Sequence, residues 1–173
     1  MMKGKPKTLV GPELRPGDPA PGFECVDMTM QPVTLASTGR RIRIFSVVPS
    51  LDTPVCDMQT KRFNDEAARL EGIDIFTVSA DLPFAQRRYC TTFGTDNVKM
   101  LSDHKDVSFG ANWGTLIEDL RILARAIFVV DEANIIRHAE YVAEVTEHPD
   151  YDSALNKARE LAGIGGSTAA SRS

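Results

Sequence analysis

Four residues in this chain of 173 have the type and setting to do chemistry: Cys25, Cys56, Cys90 and Arg125. Cys56 is the most informative, because it closes the run PSLDTPVC that begins at Pro49. Pro49 ends a β-branched stretch. Thr53 is of the type that caps helices, and Pro54 suits the first helical position, where its missing N–H and fixed φ cost nothing. Cys56 is then the third residue of a helix, with an unpaired backbone N–H and the positive end of the helix dipole beside its sulfur. That setting favours thiolate over thiol and lowers the pKa below the free value of roughly 8.5. A thiolate is a nucleophile, and one on the inward face of a helix sits at the bottom of a pocket that a small substrate can enter. The plainer alternative, a small core residue at a helix start, accounts for Cys56 equally well on composition alone.

The other candidates carry less. Cys90 stands beside Tyr89 and amid Arg87, Arg88 and Thr91, and periodicity alone makes it half-buried and inert. Arg125 precedes the apolar run AIFVVD, so its guanidinium needs either a counter-charge or an exit to water, and a solvated strand end satisfies the second. Arg121, four residues earlier, is the second candidate for that charge. Cys25, between Glu24 and Val26, reads as packing, and His104, His138 and His148 lie in polar contexts untied to the Cys56 run. No cysteine pair has C-x-x-C spacing and no Cys/His cluster has the spacing of a zinc site, so no metal site is expected, and attack by a thiolate needs no organic cofactor.

The elements that position these residues alternate between strand and helix. Phe23–Met28 and Pro32–Leu35 suit a small hairpin, and Arg41–Val48 is β-branched enough for a strand. From Val55 to Leu70, residues Cys56, Phe63, Ala67 and Leu70 lie at offsets of 7, 11 and 14, one narrow stripe of a helix that turns Cys56 inward. Ile73–Ser79 is the next buried strand, which makes a right-handed strand–helix–strand unit with parallel strands. Leu82–Phe93 reads as a short helix ending at Gly94, Arg125–Val130 and Ile135–Val142 as two strands around a turn at Glu132–Asn134, and Tyr151–Ala162 as an amphipathic helix. The pattern is that of an α/β, thioredoxin-like fold with a central mixed β-sheet flanked by helices and an N-terminal β-hairpin. Residues 1–22 hold five prolines and are expected to be an extended lead-in, 23–162 a single domain, and 163–173 a disordered tail.

Bulk composition sets limits on function. A net charge of −4 with scattered Lys and Arg leaves no electrostatic footprint for nucleic acid. The N-terminus lacks the apolar core of a secretory signal and no run is long enough to span a bilayer, so a cytoplasmic, reducing location is expected and a structural disulfide is not.

The stretch FSVVPSLDTPVC resembles the thiol peroxidases, the atypical two-cysteine branch of the peroxiredoxins, whose peroxidatic cysteine closes the pattern Pro, three residues, Thr, two residues, Cys. Pro49, Thr53 and Cys56 match it, and Ser50, Asp52 and Val55 agree with the family's own version. RRYC at Cys90, KDVSFGANWG around Trp113, LARAIFVVD around Arg125 and TEHPDYDSAL near the end extend the likeness from Gly11 to Gly163. The resemblance implies reduction of hydrogen peroxide and organic hydroperoxides by Cys56, through a sulfenic acid that Cys90 converts to an intramolecular disulfide. It implies that Arg125 lies against the thiolate, that Thr53 orients thiolate and peroxide, that thioredoxin or a similar dithiol is the reductant, and that the chain forms a homodimer. Two rivals stand beside this reading. A general thiol–disulfide oxidoreductase would place a second cysteine where Thr53 is, and a redox sensor or binding module would use Cys56 oxidation as a switch without turnover.

Overall fold

The strand–helix–strand unit around Cys56 forms because two β-branched runs flank a helix with one apolar stripe. In a computed structural model that describes residues 2, 4, 6–144 and 146–163, the first run is Ile42–Val47 and the second Ile73–Ser79, with the helix Pro54–Ala67 between them. In chain order the elements are β1 (Leu9–Val10), β2 (Glu24–Val26), β3 (Pro32–Thr34), β4 (Ile42–Val47), α1 (Pro54–Ala67), β5 (Ile73–Ser79), α2 (Pro83–Phe93) and β6 (Lys99–Ser102). There follow α3 (Ser108–Asn112), β7 (Leu116–Ile117), β8 (Ile122–Leu123), β9 (Ala126–Val130), β10 (Ile136–Tyr141) and α4 (Tyr151–Ala162).

Seven strands form the main sheet in the order β10-β9-β4-β5-β6-β2-β3. β4 pairs parallel with β5, Ile44 opposite Ile75, and antiparallel with β9, Phe45 opposite Phe128, so the sheet is mixed. The expected hairpin is β2–β3, with Cys25 opposite Val33. The period of two sorts the strand residues into two cores. Ile42 and Ile44 of β4, with Ile127 and Val129 of β9, pack with Cys56 and Phe63 of α1, Cys90 of α2, and Ala154 and Leu155 of α4. Phe45 and Val47, with Phe76 and Phe128, face the other way onto Phe109, Trp113 and Cys25. Ser46 therefore points to the first face, beneath α1, where Gln59 donates to its hydroxyl.

Several features depart from the sequence-based expectations. α1 stops at Ala67, three residues early, because Arg69 and Leu70 tighten into turns on Glu66 and Ala67, although Leu70 is still buried. β6, α3, β7 and β8 were not anticipated. β7 pairs with β1 and β8 in a second, three-stranded sheet, so Leu9 and Val10, within the Pro-rich segment read as a lead-in, are strand residues opposite Ile117 and Leu116. Gly11 and Gly114 make that docking feasible. Both have positive φ, and a Cβ on either would lie 1.9 Å from a backbone oxygen, that of Ala111 or Pro12 respectively. Gly163 caps α4 in the left-handed region, and the rest of the expected disordered tail lies outside the described residues.

Candidate active site

Cys56 is the third residue of α1, after Pro54 and Val55, and the first backbone bond of the helix runs from the Asp57 N–H to the Thr53 carbonyl. The Cys56 N–H lies ahead of that ladder, at the positive end of the helix. The residue itself is fully buried. Its sulfur accepts a hydrogen bond from Arg125 Nη2 at 3.2 Å, and Arg125 Nη1 donates to Gln59 Oε1 at 2.8 Å. Gln59 Nε2 then donates to Ser46 Oγ at 2.7 Å. A guanidinium only donates, so this chain fixes the orientation of the Gln59 amide and ties the sulfur through two side chains to the central strand. Arg125 is 2% exposed, where a cation requires partners, and the Cys56 sulfur is among those it faces. Of the two sequence candidates for that charge, Arg121 is instead exposed in the turn between β7 and β8, with φ of 53°.

Thr53 occupies the N-cap position with extended backbone, but its hydroxyl does not cap the helix. It donates to the Ser50 carbonyl at 3.1 Å, a correction to the capping role read from its type, and it is an exposed residue at the mouth of the site. Pro49, Thr53, Pro54, Val55 and Arg125, with Met2 and Thr146, line a cavity of about 430 Å³ outside Cys56. The Asp81 carboxylate holds the loop that carries Ser50 and Leu51, accepting from Ser50 Oγ at 2.9 Å and Leu51 N at 2.8 Å. Tyr151, the first residue of α4, packs edge-on to Phe63. Burial raises its phenol pKa against the lowering pull of the Arg125 and Arg62 charges.

Cys90 is more buried than periodicity suggests and shares the apolar core of Cys56, although the two are not bonded to each other. Thr95 Oγ1 donates to its sulfur at 3.4 Å, and burial raises the pKa of its thiol. Cys25 lies on the opposite side of the sheet. Its thiol faces Asp103 Oδ1 at 3.6 Å, and burial followed by the Asp103 charge raises its pKa far above the ordinary thiol range. His104, His138 and His148 take no part in the Cys56 network, and among the described residues no group of three or more His, Cys, Asp or Glu side chains is placed to hold a metal. Sequence reasoning missed Gln59, although its place three residues after Cys56 puts it on the same face of α1. It also missed Ser46, whose only signal was a hydroxyl inside a β-branched run.

The family model described as Redoxin matches residues 15–155. A thiol peroxidase of Halalkalibacterium halodurans is 51% identical over 157 residues, covering 91% of this chain and 95% of the relative. A thiol peroxidase of Bacillus subtilis is 49% identical, covering 92% and 95%. Among solved structures, a peroxiredoxin-like protein from Aquifex aeolicus superposes with a TM-score of 0.87 at 42% identity, covering 92% of this chain and 95% of that one. The chain belongs to the redoxin family and, within it, to the thiol peroxidases.

Proposed function

We propose that this chain is a thiol-dependent peroxidase in which Cys56 reduces hydrogen peroxide and organic hydroperoxides. One observation carries the assignment of the nucleophile: a fully buried sulfur in the first turn of α1 accepts a hydrogen bond from a buried guanidinium at 3.2 Å. The Cys56 thiolate attacks the terminal peroxide oxygen. As the O–O bond breaks, that oxygen stays on sulfur as a sulfenic acid, and the other leaves with a proton as water or alcohol. Arg125 answers the charge that develops on the departing oxygen, while Thr53, at the mouth of the cavity, orients the peroxide. Cys90 then condenses with the sulfenic acid to give a disulfide and water, and a dithiol protein such as thioredoxin reduces it. A homodimer in a reducing, cytoplasmic compartment completes the proposal. Among the described residues no helix is long and apolar enough to cross a membrane.

The test is turnover. With thioredoxin and its reductase, purified protein should consume many equivalents of hydroperoxide per chain, and Cys56→Ser, folded but with a hydroxyl that is not ionised near neutral pH, should consume none. Consumption of a single equivalent by the wild type would point to a redox switch without catalysis and overturn the proposal.

A further inference from the structure

The sequence neighbours of the two cysteines touch each other between α1 and α2. Asp57 follows Cys56, Tyr89 precedes Cys90, and Tyr89 Oη donates to Asp57 Oδ1 at 2.5 Å, with the Asp57 carbonyl 3.3 Å away. The other carboxylate oxygen of Asp57 accepts from Lys61 Nζ at 2.9 Å. That ammonium stands 4.2 Å from the centroid of the Phe93 ring, which lies 4.8 Å from the ring of Tyr89. Two side chains from each helix thus close a clasp, while α1 also packs on β5 and α4, and α2 on β6. Separate ties hold the ends: Asp81 at the entrance to α1, and Asn64, whose Oδ1 accepts from Asn97 N at 2.8 Å, beyond the end of α2.

The Tyr89 hydroxyl reaches the backbone of α1, so the phenol bridges the two helices beside the free thiols of Cys56 and Cys90. A disulfide requires Cα atoms about 4.4–6.8 Å apart. Both sulfurs are also engaged elsewhere, Cys56 by Arg125 and Cys90 by Thr95. Burial, the Asp57 hydrogen bond and the nearby cysteines all raise the pKa of the Tyr89 phenol, which keeps it a donor at neutral pH.

We propose that Tyr89 and Asp57 are positioning residues for the second chemical step, a latch that retains the Cys56 sulfenic acid in its enclosed place and opens before Cys90 attacks. The proposal rests on the assignment of Cys90 made above. In that step Cys90 loses its proton and its sulfur bonds to the Cys56 sulfur as the S–O bond breaks; the departing hydroxide takes up a proton and leaves as water. A second hydroperoxide competes for the same sulfenic acid and oxidises it to sulfinic acid, itself becoming water or alcohol. The latch therefore sets the division between resolution and overoxidation without entering the attack on the first peroxide.

Tyr89→Phe keeps the ring against Phe93 and removes the donor. In rapid mixing of reduced protein with cumene hydroperoxide, the first phase, first order in protein and first order in peroxide, should stay within about twofold of wild type. The second phase, independent of peroxide, should accelerate at least about threefold, and the peroxide concentration that leaves half the chains as sulfinic acid should rise by the same factor. Amide exchange in α2 of the reduced protein should quicken in parallel. Asp57→Asn, which retains a carbonyl acceptor, should shift the second phase in the same direction by a smaller factor, and it stands in if Tyr89→Phe does not fold. An unchanged or slower second phase with an unchanged overoxidation threshold would overturn the latch. If peptide mapping of oxidised wild type found no Cys56–Cys90 bond, the Cys90 assignment itself would fail, and the latch with it.

Discussion

At the scale of single residues, the role proposed for Arg125 can be separated from folding by one substitution. Arg125 touches the Cys56 sulfur at 3.2 Å, and in the proposed reaction its N–H groups would answer the charge that develops on the departing oxygen. In Arg125→Met the second-order rate with peroxide should fall at least about tenfold, about 1.4 kcal/mol of transition-state stabilisation. Arg121→Met, an exposed change, should do much less. Unfolding has to be followed alongside, because an arginine stem also packs. A folded Arg125→Met variant with the wild-type rate would return Arg125 to a packing role. The sequence pointed to Arg125 through the apolar strand after it and through the family resemblance. Gln59 was passed over because a glutamine on a helix reads as solvated, although it lies three residues after Cys56 on the face the apolar stripe turns inward. Thr53 misled for a related reason: residue type allows a cap, but the Ser50 carbonyl takes its hydroxyl instead.

At the scale of elements, the turn between β9 and β10 depends on one carboxylate. Asp131 Oδ1 accepts from Ala133 N and Ile135 N, each at 2.9 Å, and Oδ2 accepts from Arg137 Nε at 2.7 Å. Burial pulls its pKa upward, but these donors outweigh it and hold the carboxyl below the ordinary value. A depressed carboxylate contributes stability that is fully present above the unfolded pKa, about 3.9, and is lost as pH falls through the lower folded value. Asp131→Asn keeps the Oδ1 acceptor and discards the charge. It should cost about 1 kcal/mol at neutral pH. The difference from wild type in chemical-denaturation free energy should shrink steadily below about pH 4. A difference constant from pH 7 to pH 2 would show that the charge contributes nothing. The turn itself was legible, as were β4, β5, α2, α4 and the β2–β3 hairpin, because each carries a run long enough to show a period or a stop signal. β7 and β8 have two residues each and α3 has five, too few for any periodicity, and they exist because the Phe109 and Trp113 side of the sheet needs a cover.

At the scale of the whole molecule, the sheet divides the cysteines. Cys56 and Cys90 share one core, and Cys25 lies in the other with its thiol against Asp103, a placement that no spacing in the sequence disclosed. Alkylation of the reduced, folded protein should therefore modify Cys56 first and Cys90 more slowly. Cys25 should react at a rate that follows the population of globally unfolded chains and rises with denaturant as steeply as equilibrium unfolding does. Labelling of Cys25 that ignored denaturant would contradict the partition. The division also has a practical consequence. A chain whose third thiol is silent until the sheet comes apart carries its own clock for unfolding, so a single mass-spectrometric time course can report redox state at two positions and global opening at the third, with no label engineered in.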